Sequence, residues 1–186
     1  NHKTFLLFLE IVSFTDTSSW QHVACIYGSS EANSKIYLDG EAVGTAGGSF
    51  PSTLDFNGLH TTIGDYWNLA YSWLGKISNV SVYQTALDAQ TIKQFAKSRF
   101  SSIRENNRFS VVDFDGTNDV IAMTTSSAVS PTEAITVSAW VNFTSLEDYD
   151  LVVGNTDTGS NGWRLAMDNA DNIIFAINSW GSNHAE

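Results

Sequence analysis

The sequence predicts an all-β domain: two antiparallel sheets packed as a sandwich, with one short helix. Three observations carry this. Apolar residues alternate with period two through many short runs, turn residues separate the runs, and a single stretch shows helical spacing. The 186 residues suffice for one such domain with its own core. A hydrophobic content of 42%, rich in Trp and Phe, argues against disorder.

Taken in order, Phe5–Val12 is apolar but too short to span a bilayer, and no A-x-A cleavage pattern follows it. His22–Tyr27 reads as a buried strand holding the single cysteine, Cys25, as an inert thiol. One cysteine excludes an intrachain disulfide and a cysteine zinc site. Ser34–Gly40 reads as a strand ending in an Asp39-Gly40 turn, with Glu41–Thr45 as its hairpin partner. A Gly/Ser/Pro loop covers Ala46–Ser52, and His60–Gly64 is a short β segment. Trp73–Tyr83 alternates, placing Trp73, Gly75, Ile77, Asn79, Ser81 and Tyr83 on one face. Leu74, Lys76, Ser78, Val80 and Val82 fall on the other; neither face is purely apolar, which suits an edge or a groove. Asp88 can cap a helix over residues 89–100, with Ile92, Phe95 and Ala96 on one face and Lys93, Lys97 and Arg99 toward its negative end. Residues 101–108 read as a polar linker. Strands follow at Ser110–Phe114, Asp119–Thr124, Ile135–Thr144, Leu151–Gly154, Trp163–Met167 and Asn172–Asn178, the last two joined by the turn Asp168–Asp171.

A net charge of −11, without clustered Lys or Arg, disfavours nucleic acid and anionic membranes. Tyr66-Trp67-Asn68, Tyr71 and Trp73 form an aromatic-dense loop without strand alternation, and Trp180 has similar neighbours. Rigid rings beside amides and carboxylates suit sugars, which offer a C–H face for stacking and hydroxyls for hydrogen bonds. The same rings could instead plug the ends of the sandwich. Trp20 and Trp140 read as core residues. Catalysis finds little support: the histidines show no metal spacing, and neither a Gly-x-Ser-x-Gly elbow nor a phosphate loop occurs.

Two ordered sets of motifs resemble the laminin G-like domains of the concanavalin A-like lectin/glucanase superfamily. Trp20-Gln21-His22-Val23-Ala24, Ile36–Gly40, Ile63-Gly64, Trp73–Ile77, Tyr83 and Ala86–Ala89 resemble the C-terminal half of such a domain. Phe114–Asp119, Ile135–Val141 and Gly162-Trp163 resemble its N-terminal half. The resemblance implies a jelly-roll sandwich over residues 1–186. Residues 1–100 and 109–186 are then the two halves in circularly permuted order, joined by 101–108. Together with the aromatic loop it points to a non-catalytic, lectin-like module that binds a carbohydrate or glycoconjugate, with Tyr66, Trp67, Asn68, Tyr71, Trp73, Trp163 and Trp180 as the candidate residues. Several relatives bind calcium, for which Asp115 and Asp119, flanking a Gly-containing turn, are the candidate ligands; ordinary turn chemistry explains the same residues. The Glu-x-Asp-x-x-Glu string of the related glucanases is absent. The alternatives are an adhesive, protein-binding module of a surface or virion protein and, third, a glycan-cleaving enzyme. The expected setting is extracellular or surface-associated, with no membrane insertion. The two halves could also pair between chains, as a domain-swapped or side-by-side homo-oligomer.

Overall fold

The computed structural model describes residues 7–10, 18–48, 50, 54, 56, 59–66, 71–102, 111–124, 126–145, 150–156, 162–168 and 170–177. Within them run β1 (Leu7–Glu10), β2 (Gln21–Tyr27), β3 (Lys35–Leu38), β4 (Glu41–Gly48), β5 (His60–Ile63), β6 (Leu74–Tyr83) and α1 (Ala89–Ser102). There follow β7 (Val111–Asp115), β8 (Ile121–Met123), β9 (Ile135–Phe143), β10 (Leu151–Thr156), β11 (Gly162–Met167) and β12 (Ile173–Ile177).

The strands form two antiparallel sheets. The six-stranded sheet is ordered β7-β6-β9-β2-β3-β4 and the five-stranded sheet β12-β11-β10-β5-β8. Strand β1 pairs with β4 on one side and β12 on the other, so the hydrogen-bonded ladder passes from one sheet into the next. Between the inner faces lies one apolar core, with Val23, Cys25, Val137 and Val141 from the first sheet and Trp163, Leu165, Phe175 and Ile177 from the second. The two halves of the sequence interleave: β9 lies between β6 and β2, and β5 between β10 and β8.

Local chemistry explains the elements. Strand β2 sends Val23, Cys25 and Tyr27 into the core and Ala24 and Ile26 outward beneath α1. Buried on both faces, it reads as an unbroken apolar run rather than an alternating one. Helix α1 starts where the cap predicts: Asp88 accepts from the Thr91 amide and hydroxyl, both at 2.9 Å. The backbone donates to Asp88 first and the Thr91 hydroxyl second, which holds its carboxyl below the ordinary value. Ile92 packs on Ala24, Ile26 and Tyr37. The β3–β4 turn has Asp39 at φ 50° and Gly40 at φ 85°, the left-handed pair of a tight hairpin. A Cβ at position 40 would sit 3.0 Å from the Lys93 Cα, so this glycine also lets the helix lie directly on the turn.

Strand β6 departs from the predicted alternation. Ser78 is opposite Trp140 but Ser81 is opposite Ser138, so one extra residue enters β6 as a bulge. Asn79 sits there with φ 52°, a left-handed conformation that Asn tolerates better than most residues. The bulge exchanges the faces. Ile77 points to the core before it, Val80 and Val82 pack against the core after it, and Ser81 and Tyr83 turn outward. The single face predicted from Trp73 to Tyr83 is therefore two half-faces.

Candidate functional site

The predicted aromatic loop lies over the outer face of the five-stranded sheet. The chain leaves β5, passes Gly64, Asp65 and Tyr66, and returns at Tyr71, Ser72 and Trp73 before β6. Backbone bonds tie both ends down: Trp73 N–H donates to the Gly64 carbonyl at 2.7 Å and Leu151 N–H to the Tyr71 carbonyl at 3.3 Å. Asp65 is fully buried and accepts from the Tyr71 amide at 3.1 Å and from the Ser72 hydroxyl. Ser72 Oγ also lies 3.0 Å from the Thr117 carbonyl. The described end of the loop at Tyr71–Trp73 thus lies beside the Asp115–Asp119 turn, and two segments 45 residues apart in sequence form one rim.

Not all predicted residues face outward from this rim. Trp73 is 0% exposed and packs on Phe143 with ring centroids 4.4 Å apart. Trp163 is also 0% exposed, and its indole N–H donates to the Val129 carbonyl at 3.0 Å. Neither ring has a face left for a ligand, which corrects their assignment: both plug the core. Tyr66, 6% exposed, meets Tyr71 edge-on at 5.4 Å and packs with Leu151, Ala166 and Ile174. Tyr71 keeps part of its ring in solvent. Arg164 of β11 is buried beside both tyrosines. Burial lowers its guanidinium from the ordinary value while Tyr66 and Tyr71 act in the opposite sense. Burial likewise pushes the Tyr66 phenol up, with Arg164 working against it. Trp67, Asn68 and Trp180 lie outside the described residues.

The candidate calcium ligands Asp115 and Asp119 belong to a tight turn. Asp115 Oδ1 accepts from the Thr117 amide at 2.9 Å, and Asp119 Oδ2 from the Asp115 amide at 3.0 Å. Calcium requires six to eight oxygen ligands. Among the described residues no three acidic, His or Cys side chains gather at this turn.

Comparison with known proteins gives the lineage. The sequence pattern of the laminin G-like family described as the concanavalin A-like lectin/glucanases superfamily matches residues 11–93 and 115–186, most of the chain. The chain belongs to this superfamily. The two-sheet antiparallel sandwich with one short helix is the architecture expected of it. No curated protein and no solved structure matches the chain.

A second feature of this superfamily domain escaped the sequence reading. Trp140 is 3% exposed, yet it belongs to neither the main core nor the cluster under α1. Its strand sends Val137, Ala139 and Val141 inward, leaving Thr136, Ser138 and Trp140 on the outer face. Trp140 stands opposite His22 with ring centroids 5.4 Å apart. The signal was present in the alternation Thr136-Val137-Ser138-Ala139-Trp140, which groups this tryptophan with hydroxyls rather than with valines.

Proposed function

We propose that the chain is a non-catalytic carbohydrate-recognition module that meets its ligand at the rim where Asp65, Tyr66, Tyr71 and Ser72 adjoin the Asp115–Asp119 turn. Superfamily membership supports the general class. The observation that supports the reading is that Ser72, whose hydroxyl donates to Asp65, also lies 3.0 Å from the Thr117 carbonyl, which sets the described end of the aromatic segment beside a polar turn. A pre-fixed platform loses little freedom on binding a flexible ligand. Tyr71, with Trp67 and Asn68 from the same loop, supplies the stacking and hydrogen-bonding groups. No bond of the ligand is broken in this reading, and an extracellular or surface setting suits it. A glycan array run with and without calcium, on wild type, Trp67→Ala and Tyr71→Ala, tests the proposal. Binding lost in both variants is expected. Absence of binding, or binding indifferent to both changes, overturns it.

We further propose that the halves are circularly permuted relative to the usual family order. The family match falls in two segments, and β1 pairs antiparallel with β12, Leu7 opposite Ile177. A short connection from 177 to 7 would restore an ordinary hairpin. A gene rearranged to make that connection, and opened within residues 103–110, should give a folded protein of equal or greater stability. Failure of that chain to fold refutes the permutation.

One observation favours the adhesive alternative. The edge strands β7 and β8 expose Val111, Val112, Ile121 and Met123. Sedimentation of wild type and Val112→Lys distinguishes it: self-association abolished by the lysine supports this second reading, and a monomer in both cases counts against it.

A further inference from the structure

The outer face of the six-stranded sheet carries a cavity of about 250 Å³ beside α1. His22, Asn79, Ser81, Tyr83, Ser138 and Trp140 line it from β2, β6 and β9. Phe95 and Ser98 of α1 close one side, with Phe95 stacked on Tyr83 at 5.7 Å. Among the described residues no Lys, Arg, Asp or Glu lines the space. The bulge creates it: the extra residue Asn79 diverts β6, and Ser81 and Tyr83 reach this face only because the alternation flips there.

One atom in this wall is out of balance. His22 is 2% exposed, and its Nδ1 has no hydrogen-bond partner among the described residues. Buried polar atoms are nearly always paired, and an unpaired one is expensive to keep. The Asp39 carboxylate does not relieve it, since Asp39 accepts instead from the His22 backbone amide at 2.8 Å. Burial keeps the imidazole uncharged, lowering its pKa to about 4. Among the described residues the wall therefore presents a neutral imidazole, hydroxyls, one amide and three kinds of aromatic side chain, with no fixed charge.

We propose that this cavity is a second binding site, separate from the rim, for an uncharged polyhydroxylated molecule of monosaccharide size. A hydroxyl of the ligand completes the bonding of His22 Nδ1. Its C–H groups meet the small apolar part of the wall bordered by Tyr83, Phe95 and Trp140, and the Asn79, Ser81 and Ser138 side chains bind the remaining hydroxyls. A charged ligand is disfavoured, because the wall offers no counterion and a desolvated charge is costly. The volume is below that of a pocket for drug-sized ligands, so one ring fits and an oligosaccharide does not.

The test is an amide-resolved NMR titration of the whole chain with glucose, galactose, mannose, N-acetylglucosamine and myo-inositol at millimolar concentrations. At least one of these probes should give saturable shifts at His22, Asn79, Ser81, Ser138 and the Trp140 indole. His22→Phe should weaken that binding at least tenfold. Asn79→Gly, which keeps the left-handed backbone while removing the amide, and Ser81→Ala should each weaken it several-fold; both serve if His22→Phe does not fold. Trp67→Ala and Tyr71→Ala should leave these shifts unchanged, so failure of the rim and failure of this cavity are told apart. No saturable shift at these residues with any of the five probes overturns the proposal. So does binding that survives all three cavity variants.

Discussion

Over the six-stranded sheet lies a capped helix; over the five-stranded sheet lies an aromatic loop. The helix covers Ala24, Ile26 and Tyr37 with Ile92, and its Phe95 and Ser98 border a polar space beside His22 and Trp140. The loop covers Leu151, Ala166 and Ile174 with Tyr66 and sends Trp73 into the core. A regular element with a fixed face covers only what that face reaches. A loop can aim each ring separately, and the described ends of this one set Tyr66 on the outer face and Trp73 in the core. The aromatics most conspicuous in the sequence are for that reason mostly spent on packing, whereas the inconspicuous Trp140 borders a cavity.

The largest test of this contrast is Trp73→Ala. Removing a fully buried tryptophan should cost about 3–5 kcal/mol, measured by denaturant unfolding. A loss below about 1 kcal/mol would mean that Trp73 is not core, and the contrast would collapse.

Next comes acid. His22 has an ordinary pKa of 6.5 and a value of about 4 in the fold. The unfolded chain therefore binds the extra proton first, and stability falls as pH drops from 6.5 toward 4. The contribution is fully present above that window, and the total loss is about 3 kcal/mol. His22→Phe should flatten this part of the stability profile. Glu41 and Asp88, whose pKa values are lowered by the hydrogen bond from Lys93 and by backbone bonds at Thr91 respectively, lose their contributions only at lower pH.

Asp65→Ala probes the loop side. It removes a buried carboxylate that accepts from Tyr71 and Ser72, and should cost about 2 kcal/mol. Hydrogen exchange should rise at Tyr71 and Leu151 while α1 stays protected. Uniform loss of protection would mean that the two covers do not open separately. The smallest effect is expected from Asp88→Ala, which uncaps an exposed helix end. Its trace should be faster amide exchange in the first turn of α1, with the rim unchanged.

Much of the fold was legible because it rests on local chemistry. The Asp39-Gly40 turn, the Asp88 cap and the Asp168–Asp171 turn each declare themselves within a few residues, and β2, β9 and β11 through their apolar content. The bulge at Asn79 was not, since one inserted residue leaves composition intact and shifts only the phase. Its trace is that Ile77 and Val82 fall on opposite faces of a perfect alternation, though both pack toward the core. The site was legible as a segment but not as an orientation. Nothing local says whether Tyr71 or Trp73 turns outward; that is decided by Phe143, Leu151 and Asp65, which are distant in sequence or silent about direction.

Strand β1 makes one more consequence plain. Its four residues bond to β4 on one flank and β12 on the other, and so fasten the two sheets along a seam. A pull along that strand loads both ladders in shear, with the hydrogen bonds sharing the force and yielding together. A pull across it unzips them one at a time. The molecule should therefore be mechanically anisotropic, tough along the seam and weak across it. Replacing Leu9 with proline, which removes a backbone donor from this doubly paired strand, should erase much of the difference.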